Sequence, residues 1–550
     1  MKFKLQMVIY DDENNKSSAV EDIIELDKRD VEVGYNAGIN LQESKQILES
    51  LQQKIVLKEA QSYIESHKQC SNCSKKLRIK GYHDLQYKTL FGTIVIPSPR
   101  LYACKNCGFD GGVNITQDIN GKIDYESEPQ KSSNSKQNTG GASKSNKSDK
   151  NSSKALATKT FSPLKYWLPE HTSPELQYIE SKWASYMSYD KTADLLQDVL
   201  PIHSSINSAT VRNHLHKVAK RQEEELEDKP VCVSGCINEW ARLPKPDKPL
   251  IVGIDGGYVK GWKDRKNNFE VIVGKSFSKT KSPKRFGLVQ AYDKKLPQIR
   301  LLDLLRKQGM QENQQITFLS DGADNVRDLQ YIMHPEAEHI LDWFHITKRI
   351  TVLNQFAKGM AHSDTEDGAK MIKDLESIKW YLWHGNVKEA LDHLEDCWLI
   401  CEYEETKYQH KKKFQTYLDE ITTYIENNSH LIPNYSERWR NKEYIASSFV
   451  ESTVNEVVSK RMAKKQQMQW SQEGAHYMLQ VRTAAMNDDL PEYFERWYPG
   501  LKLEKNKRPS SLIPNRRVTR NQNNPLPPGH IKNNPQNKNT SKSSNKIMVA

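Results

Sequence analysis

The chain has 550 residues and a formal net charge of +11, with 27% charged and 36% hydrophobic residues. One ordinary core does not serve that length; at roughly 150 residues per domain, three or four units are expected. No run approaches the ~18 apolar residues of a membrane helix, and "MKFKLQMVIYDDENNKSS" has neither the apolar core nor the small-residue cleavage site of a signal peptide, so a soluble intracellular protein is expected.

In chain order, residues 1–66 offer a strand, "FKLQMVIY", and a long polar helix whose Ile47, Leu48, Leu51, Ile55 and Leu57 roughly keep the helical period. Residues 67–125 contain two C-x-x-C pairs, Cys70 with Cys73 and Cys104 with Cys107, separated by strand-like runs. Two such knuckles present four thiolates tetrahedrally to zinc, and a site of this kind supplies folding energy to a small unit without a core. A zinc ribbon with structural Zn²⁺ is expected; four thiolates leave no open position for catalysis. Cys232, Cys236, Cys397 and Cys401 fall at i, i+4 spacing, the spacing of buried helical thiols.

Residues 126–165 are nearly free of apolar side chains and are expected to form a disordered linker. Residues 129–160 hold seven lysines against one aspartate, and from Lys505 onward there are ten Lys or Arg and no acid. These segments carry +6 and +10, which leaves −5 for the rest of the chain. They either keep polar segments in solution or contact phosphates through counterion release.

Residues 166–230 read as helical. Ser173 followed by Pro174 is a start signal for one long helix, and a second, "SATVRNHLHKVAKRQEEELE", follows the break "PIHSSIN". Two helices joined by a brief polar turn fit a helix-turn-helix DNA-binding region, with Arg212, Asn213, His214 and His216 on the second helix.

From residue 245 the texture changes. Strands are expected at 250–255, 268–278, 286–292, 315–320 and 338–343, and helices near 297–309 and 324–333. Three strands followed by alternating helix and strand is the order of a ribonuclease H-like core, with its first part at 245–349. A helical insertion follows at 350–440, then a helical part at 441–500 and a disordered basic tail at 505–550.

Two acids stand at the ends of apolar runs. Asp255, in "IVGIDGGYVKGW", is expected to close the first strand, with the glycines allowing a bend and close approach. The same stretch resembles a phosphate-gripping turn of an actin-like-superfamily kinase, although the Thr or Ser that usually completes such a turn is absent. Asp321 ends "ITFLSD", and Asp324 is placed to cap the next helix. Two acids at the C-terminal ends of strands in one open sheet can converge on a crevice, and a third would complete a site for two divalent ions. The third is Glu451 or Glu456. On a 3.6-residue wheel, Val450, Val454, Val457 and Val458 form a stripe, with Glu451 about 20° from Val458 and Glu456 nearly opposite. That favours Glu451.

With Asp255, Asp321 and Glu451 in line, the chain resembles DDE transposases of bacterial insertion sequences, most closely the ISKra type. The resemblance rests on "CSNC", "CKNC", the helix-turn-helix, "VGIDGGYVKG", "FLSDGADN", "ILDWFHITKRI" and "SSFVESTVNEVVSKRMAKKQQMQWSQEGAHYMLQVR". It implies a multidomain α/β chain, with a ribonuclease H-like mixed sheet, an all-helical insertion, and a zinc ribbon and helix-turn-helix in front. It further implies Mg²⁺ or Mn²⁺ held by Asp255, Asp321 and Glu451, cleavage at transposon ends and transfer of the freed 3′-hydroxyl to target DNA. Asp342 and His345 match the D-x-x-H of related transposases and would organise the site. Lys348, Arg349, Arg461, Lys464 and Lys465 are candidate phosphate contacts, together with Arg212. The implied partners are double-stranded DNA and further copies of the chain, in a nucleoid-associated cytoplasmic setting. A DNA-binding derivative that no longer cuts remains open at this point, as does the kinase.

Overall fold

The structure is a computed structural model that describes residues 2–10, 17–26, 38–107, 114–117, 123–126, 159–202, 206–227, 237–240, 242–244, 246, 249–263, 268–278, 282–292, 297–323, 337–363, 365–403, 408–446, 448–463 and 468–503. Most of the linker at 126–165, the helix expected at 324–333 and the tail at 505–550 lie outside these residues. The chain is mixed α/β and divides into two compact units, Met1–Glu225 with Glu473–Lys507, and a second containing Leu226–Gln472. Among the described residues no helix is long and apolar enough to cross a membrane.

In the first unit, β1 (Phe3–Tyr10) pairs antiparallel with β2 (Ser17–Leu26). The long helix α1 (Leu41–Ser66) begins at Asn40, which accepts from the Glu43 backbone while Glu43 accepts from the Asn40 backbone, a reciprocal cap. Its buried Val56, Ala60 and Ile64, at i, i+4, i+8, pack on Leu85, Ile94 and Ile96 of the hairpin β3 (Ile79–Thr89) and β4 (Gly92–Tyr102). The sequence predicts one long helix after Ser173. After the single turn α2 (Leu164–Trp167), two form instead, α3 (Pro174–Ala184) and α4 (Tyr189–Val199), because Ser188 caps the second by accepting from the Lys191 backbone. The helix α5 (Ser208–Glu227) follows, its first turn held by Asn207, which accepts from the Thr210 backbone.

The helices Gln472–Met486 and Leu490–Trp497 belong to this unit as well. His476 faces Glu223 at 3.5 Å, and Arg496 and Trp497 both donate to Glu225 on α5. The stretch 441–500, expected to act as one part of the core, is therefore divided near residue 472.

The second unit is built on five strands in the order β10-β9-β8-β11-β12, where β8 is Leu250–Lys260, β9 Asn268–Phe277, β10 Lys284–Leu288, β11 Ile316–Ser320 and β12 Glu338–Leu341 (β5 to β7 are short strands of the first unit, at Asn114–Gln117, Ile123–Glu126 and Thr160–Phe161). The first three pair antiparallel, and β8, β11 and β12 run parallel. Alternation along β8 sends Leu250, Val252 and Ile254 to one face, where they meet Leu301, Leu302 and Leu305 of the helix Pro297–Lys307. Ile251 goes to the other face and joins a core formed with four long helices, Trp343–Ser363, Thr365–Trp383, Val387–Tyr403 and Lys411–Asn427. Asp255 does not end its strand as the sequence predicts; β8 runs five residues past it, and pairs with β9 from Ile251 to Lys260.

Candidate functional site

On the second face of β8, period-two alternation lines up Gly253, Asp255 and Gly257. A Cβ on Gly253 would lie 2.0 Å from Val450 Cγ2, and one on Gly257 would lie 3.0 Å from Val454 Cγ1. The helix Ser448–Val454 thus rests on this strand through two valines a turn apart, seated on two glycines. Glu451 lies between those valines in sequence. The glycines serve this approach; they do not bend the strand.

Parallel pairing sets the second acid. Leu319 is opposite Gly253, so extending the register by two residues brings Asp321 level with Asp255. Ser320 is opposite Leu341, so one further residue on each strand brings Asp342 level with Asp321. Three neighbouring strands therefore carry aspartates in one row. Asp321 accepts from the Ala323 backbone at 3.3 Å, and Gly322 takes φ +90°, where any Cβ would meet Asn428 Oδ1 at 2.2 Å. Asp342 is fully buried, accepts from the Phe344 backbone at 2.8 Å and faces His345 Nε2 at 3.5 Å.

Asp255, His345, Lys348, Glu451, Ser452 and Asn455 share the wall of a cleft of about 530 Å³. Burial raises the Asp255 carboxyl above its ordinary range; the His345 charge and the Gly256 N–H oppose that shift, while Asp321 and Asp342 add to it. Asp321 and Asp342 thus add negative charge around Asp255, which a cation would relieve. Oxygen donors alone suit a hard divalent ion. The three acids are not a single-ion cage, since among the described residues only the four cysteines form a group of metal-ligating atoms all within 4.8 Å of one another.

Glu456 points elsewhere and pairs with Arg285 at 3.2 Å. The sequence wheel separated the two glutamates, but on a premise that fails here: beyond Val454 the chain is π-helical over Asn455–Ala463, so 100° per residue does not carry through to Val458. Ser452 and Asn455 were missed, because a small polar residue on a charged helix carries no signal until the cleft exists.

The cationic candidates separate. Lys348 is exposed, lies 5.8 Å from the Phe344 ring centre and lines the cleft. Arg349 is exposed and stacks over Tyr424 at 4.2 Å. Arg461, expected at a phosphate, is instead fully buried, donates to Met468 Sδ at 3.0 Å and lies over the Trp470 ring, so its guanidinium is part of a core and does not reach a phosphate. Lys464, Lys465 and Asp324 lie outside the described residues.

In the first unit, Arg212 and Asn213 are exposed on α5. His214 turns inward and pairs with the buried Glu180, and His216 packs against Tyr477, with burial first and Arg212 second lowering its pKa. The outward face of this helix is therefore carried by Arg212 and Asn213, without the histidines.

The cysteines converge. Cys70 Sγ lies 3.4 Å from Cys107, Cys73 lies 3.5 Å from Cys104, and Cys107 lies 3.8 Å from Cys73. Sulfurs at ~2.3 Å from one tetrahedral zinc stand about 3.8 Å apart, so these distances fit a zinc site with little adjustment. A single hairpin achieves this: the first pair precedes β3, the second follows β4, and the strands align Ile79 with Leu101. Backbone N–H groups of Cys107 and then Asn106 draw the Cys104 thiol down to about 6, which favours the thiolate a metal needs. Ser74 closes the first knuckle in the left-handed region at φ +55° and donates its N–H to the Cys70 carbonyl.

No protein-family model matches the chain, and no curated protein is significantly similar to it.

Proposed function

We propose that the chain is a DDE-type transposase whose second unit is a ribonuclease H-like core that cuts and joins DNA strands. The observation that carries the reading is the meeting of Asp255, on a glycine-flanked strand, with Glu451 in one cleft, while Asp321 is in register on the neighbouring strand. The strand order, with three antiparallel strands and then two parallel ones, supports it. So does the long helical block between Asp321 and Glu451.

Asp255, Asp321 and Glu451 would hold the divalent ions. When bound, the ions supply an activated attacking oxygen and stabilise the leaving one. Lys348 offers a positive charge to a phosphate in the cleft. Asp342 fixes the start of the helix that bears His345 and Lys348, and His345 sets a positive charge beside Asp255 when protonated. The kinase alternative loses support because Gly256 and Gly257 are paired within β8 and form no loop of free amides to hold phosphate.

The test uses the full chain with Mg²⁺ or Mn²⁺ and a plasmid carrying the DNA that flanks its gene. Wild type should nick and join these ends, Asp255→Asn and Glu451→Gln should each reduce the rate by at least ~100-fold, and Glu456→Gln should change it little. Equal rates for wild type and Asp255→Asn would remove the assigned site. DNA binding without cutting under all conditions would support a silent derivative.

A further inference from the structure

The two low-complexity segments do not hold all of the positive charge. Residues 68–107, the folded hairpin between and around the cysteine pairs, contain eight Lys or Arg against one acid, Asp84. This excess is hidden in the chain-wide balance, because acids on other elements cancel it. Four thiolates around Zn²⁺ would remove two charges and still leave about +5.

Folding concentrates part of this charge. A groove of about 370 Å³ opens where the chain leaves the first knuckle beside the second, lined by Lys75, Lys76, Arg78, Tyr102 and Lys105. The Tyr102 backbone donates to the Arg78 carbonyl at 2.9 Å, which clasps the two sides. Lys75, Lys76, Arg78 and Lys105 are all exposed, and none has an acidic partner among the described residues. Among the described residues no carboxylate lines the groove. Like charges held together without counterions repel, so the arrangement costs stability unless an anion meets it.

We propose that this groove is a DNA-binding surface, in which the four cations grip the phosphate backbone of a duplex. The cysteine cluster then does more than staple the fold, because it sets the spacing of Lys75 and Lys76 against Lys105. Its chemistry favours a duplex over a splayed single strand: the groove has four cations and one half-buried aromatic ring, so it contacts phosphates and offers no stacking platform for bases. The inference stands on charge and geometry in the first unit, and the chemistry of the carboxylate cleft does not enter it.

The experiment measures binding of the full chain, loaded with zinc, to a labelled 30-base-pair duplex of arbitrary sequence between 50 and 200 mM salt (values chosen as roughly the range over which counterion release is read). A variant with Lys75→Gln, Lys76→Gln, Arg78→Gln and Lys105→Gln is compared with wild type and with Asp255→Asn. All four positions are exposed, so zinc content should stay unchanged, and the melting temperature should hold or rise as the repulsion is relieved; both certify the fold. The expected result is a flatter salt dependence, the slope of log K against log salt falling by roughly 3 to 4, and at least ~10-fold weaker binding at the lowest salt. An unchanged slope and affinity overturns the proposal, as does a loss confined to a single-stranded oligonucleotide. Asp255→Asn should bind like wild type, so failure of the cleft as a nuclease and failure of this groove as a DNA contact are read separately.

Discussion

The cysteine hairpin and the carboxylate cleft are both built from side chains brought together by strands, yet they are assembled on different scales. Cys70, Cys73, Cys104 and Cys107 span under forty residues and are closed by one antiparallel hairpin, so local pairing alone completes the site. Asp255, Asp321 and Glu451 span nearly two hundred residues and come from two parallel strands and a helix that arrives after the whole helical block. The cysteine end of the hairpin is therefore closed by residues of the hairpin itself, while α1 covers its apolar face. The cleft depends on how closely one helix can approach one strand, and that is set by residues with no functional groups at all.

The largest effect should come from the hairpin. Cys104→Ser is expected to abolish stoichiometric zinc binding and to melt the hairpin, measured by metal content of the purified chain and by protease resistance of residues 67–107; structural zinc carries on the order of 10 kcal/mol in small domains. No zinc in the wild type, or unchanged zinc content and protection in this variant, would remove Cys104 from a metal site.

A graded series tests the cleft. Gly253→Ala would put a methyl 2.0 Å from Val450 Cγ2 and 2.9 Å from Phe449 ring carbons, so the helix must move; about 1 to 3 kcal/mol of stability and most of the nicking activity should be lost. Gly257→Ala meets Val454 at 3.0 Å and should cost less. Gly256→Ala meets only the tip of Glu270, which can swing away, and should be nearly silent. Any other order in chemical denaturation would break the claim that the glycines admit the helix.

The smallest effect is electrostatic. The folded Asp255 carboxyl is raised, first by burial, so without divalent ions the folded state holds this proton more tightly than the unfolded chain. Stability should consequently fall as pH rises above about 4 through the raised value, since the unfolded state sheds the proton first. Asp255→Asn removes the penalty and should raise the melting temperature by on the order of 2 °C at pH 7, with no gain at pH 3. Mg²⁺ should raise the wild-type melting temperature at pH 7 and leave that of Asp255→Asn unchanged.

Much of this protein can be read along its sequence because it is decided locally. Spacing within each C-x-x-C pair marks thiol ligands, Ser173 with Pro174 marks a helix start, and apolar runs mark the strands; each signal lies within one turn or one hairpin. Glu451 was also favoured over Glu456 from sequence, although by a wheel whose regular turn does not persist through the π-helical stretch.

Tertiary structure decided the rest. Asp255 sits within a strand because β9 pairs with β8 on both sides of it, and pairing partners are not written into "IVGIDGGYVKGW" itself. Arg461 looks like a phosphate contact in a basic run, and only folding buries it over Trp470. The helices beyond residue 472 follow the Glu451 helix in sequence but pack with α5, because their partners are Glu223 and Glu225. The sequence determined which residues could act as ligands, caps and core. Their meeting was decided by strand register and by the glycines that let a helix lie against a sheet, since both depend on distances between segments that are far apart in the chain.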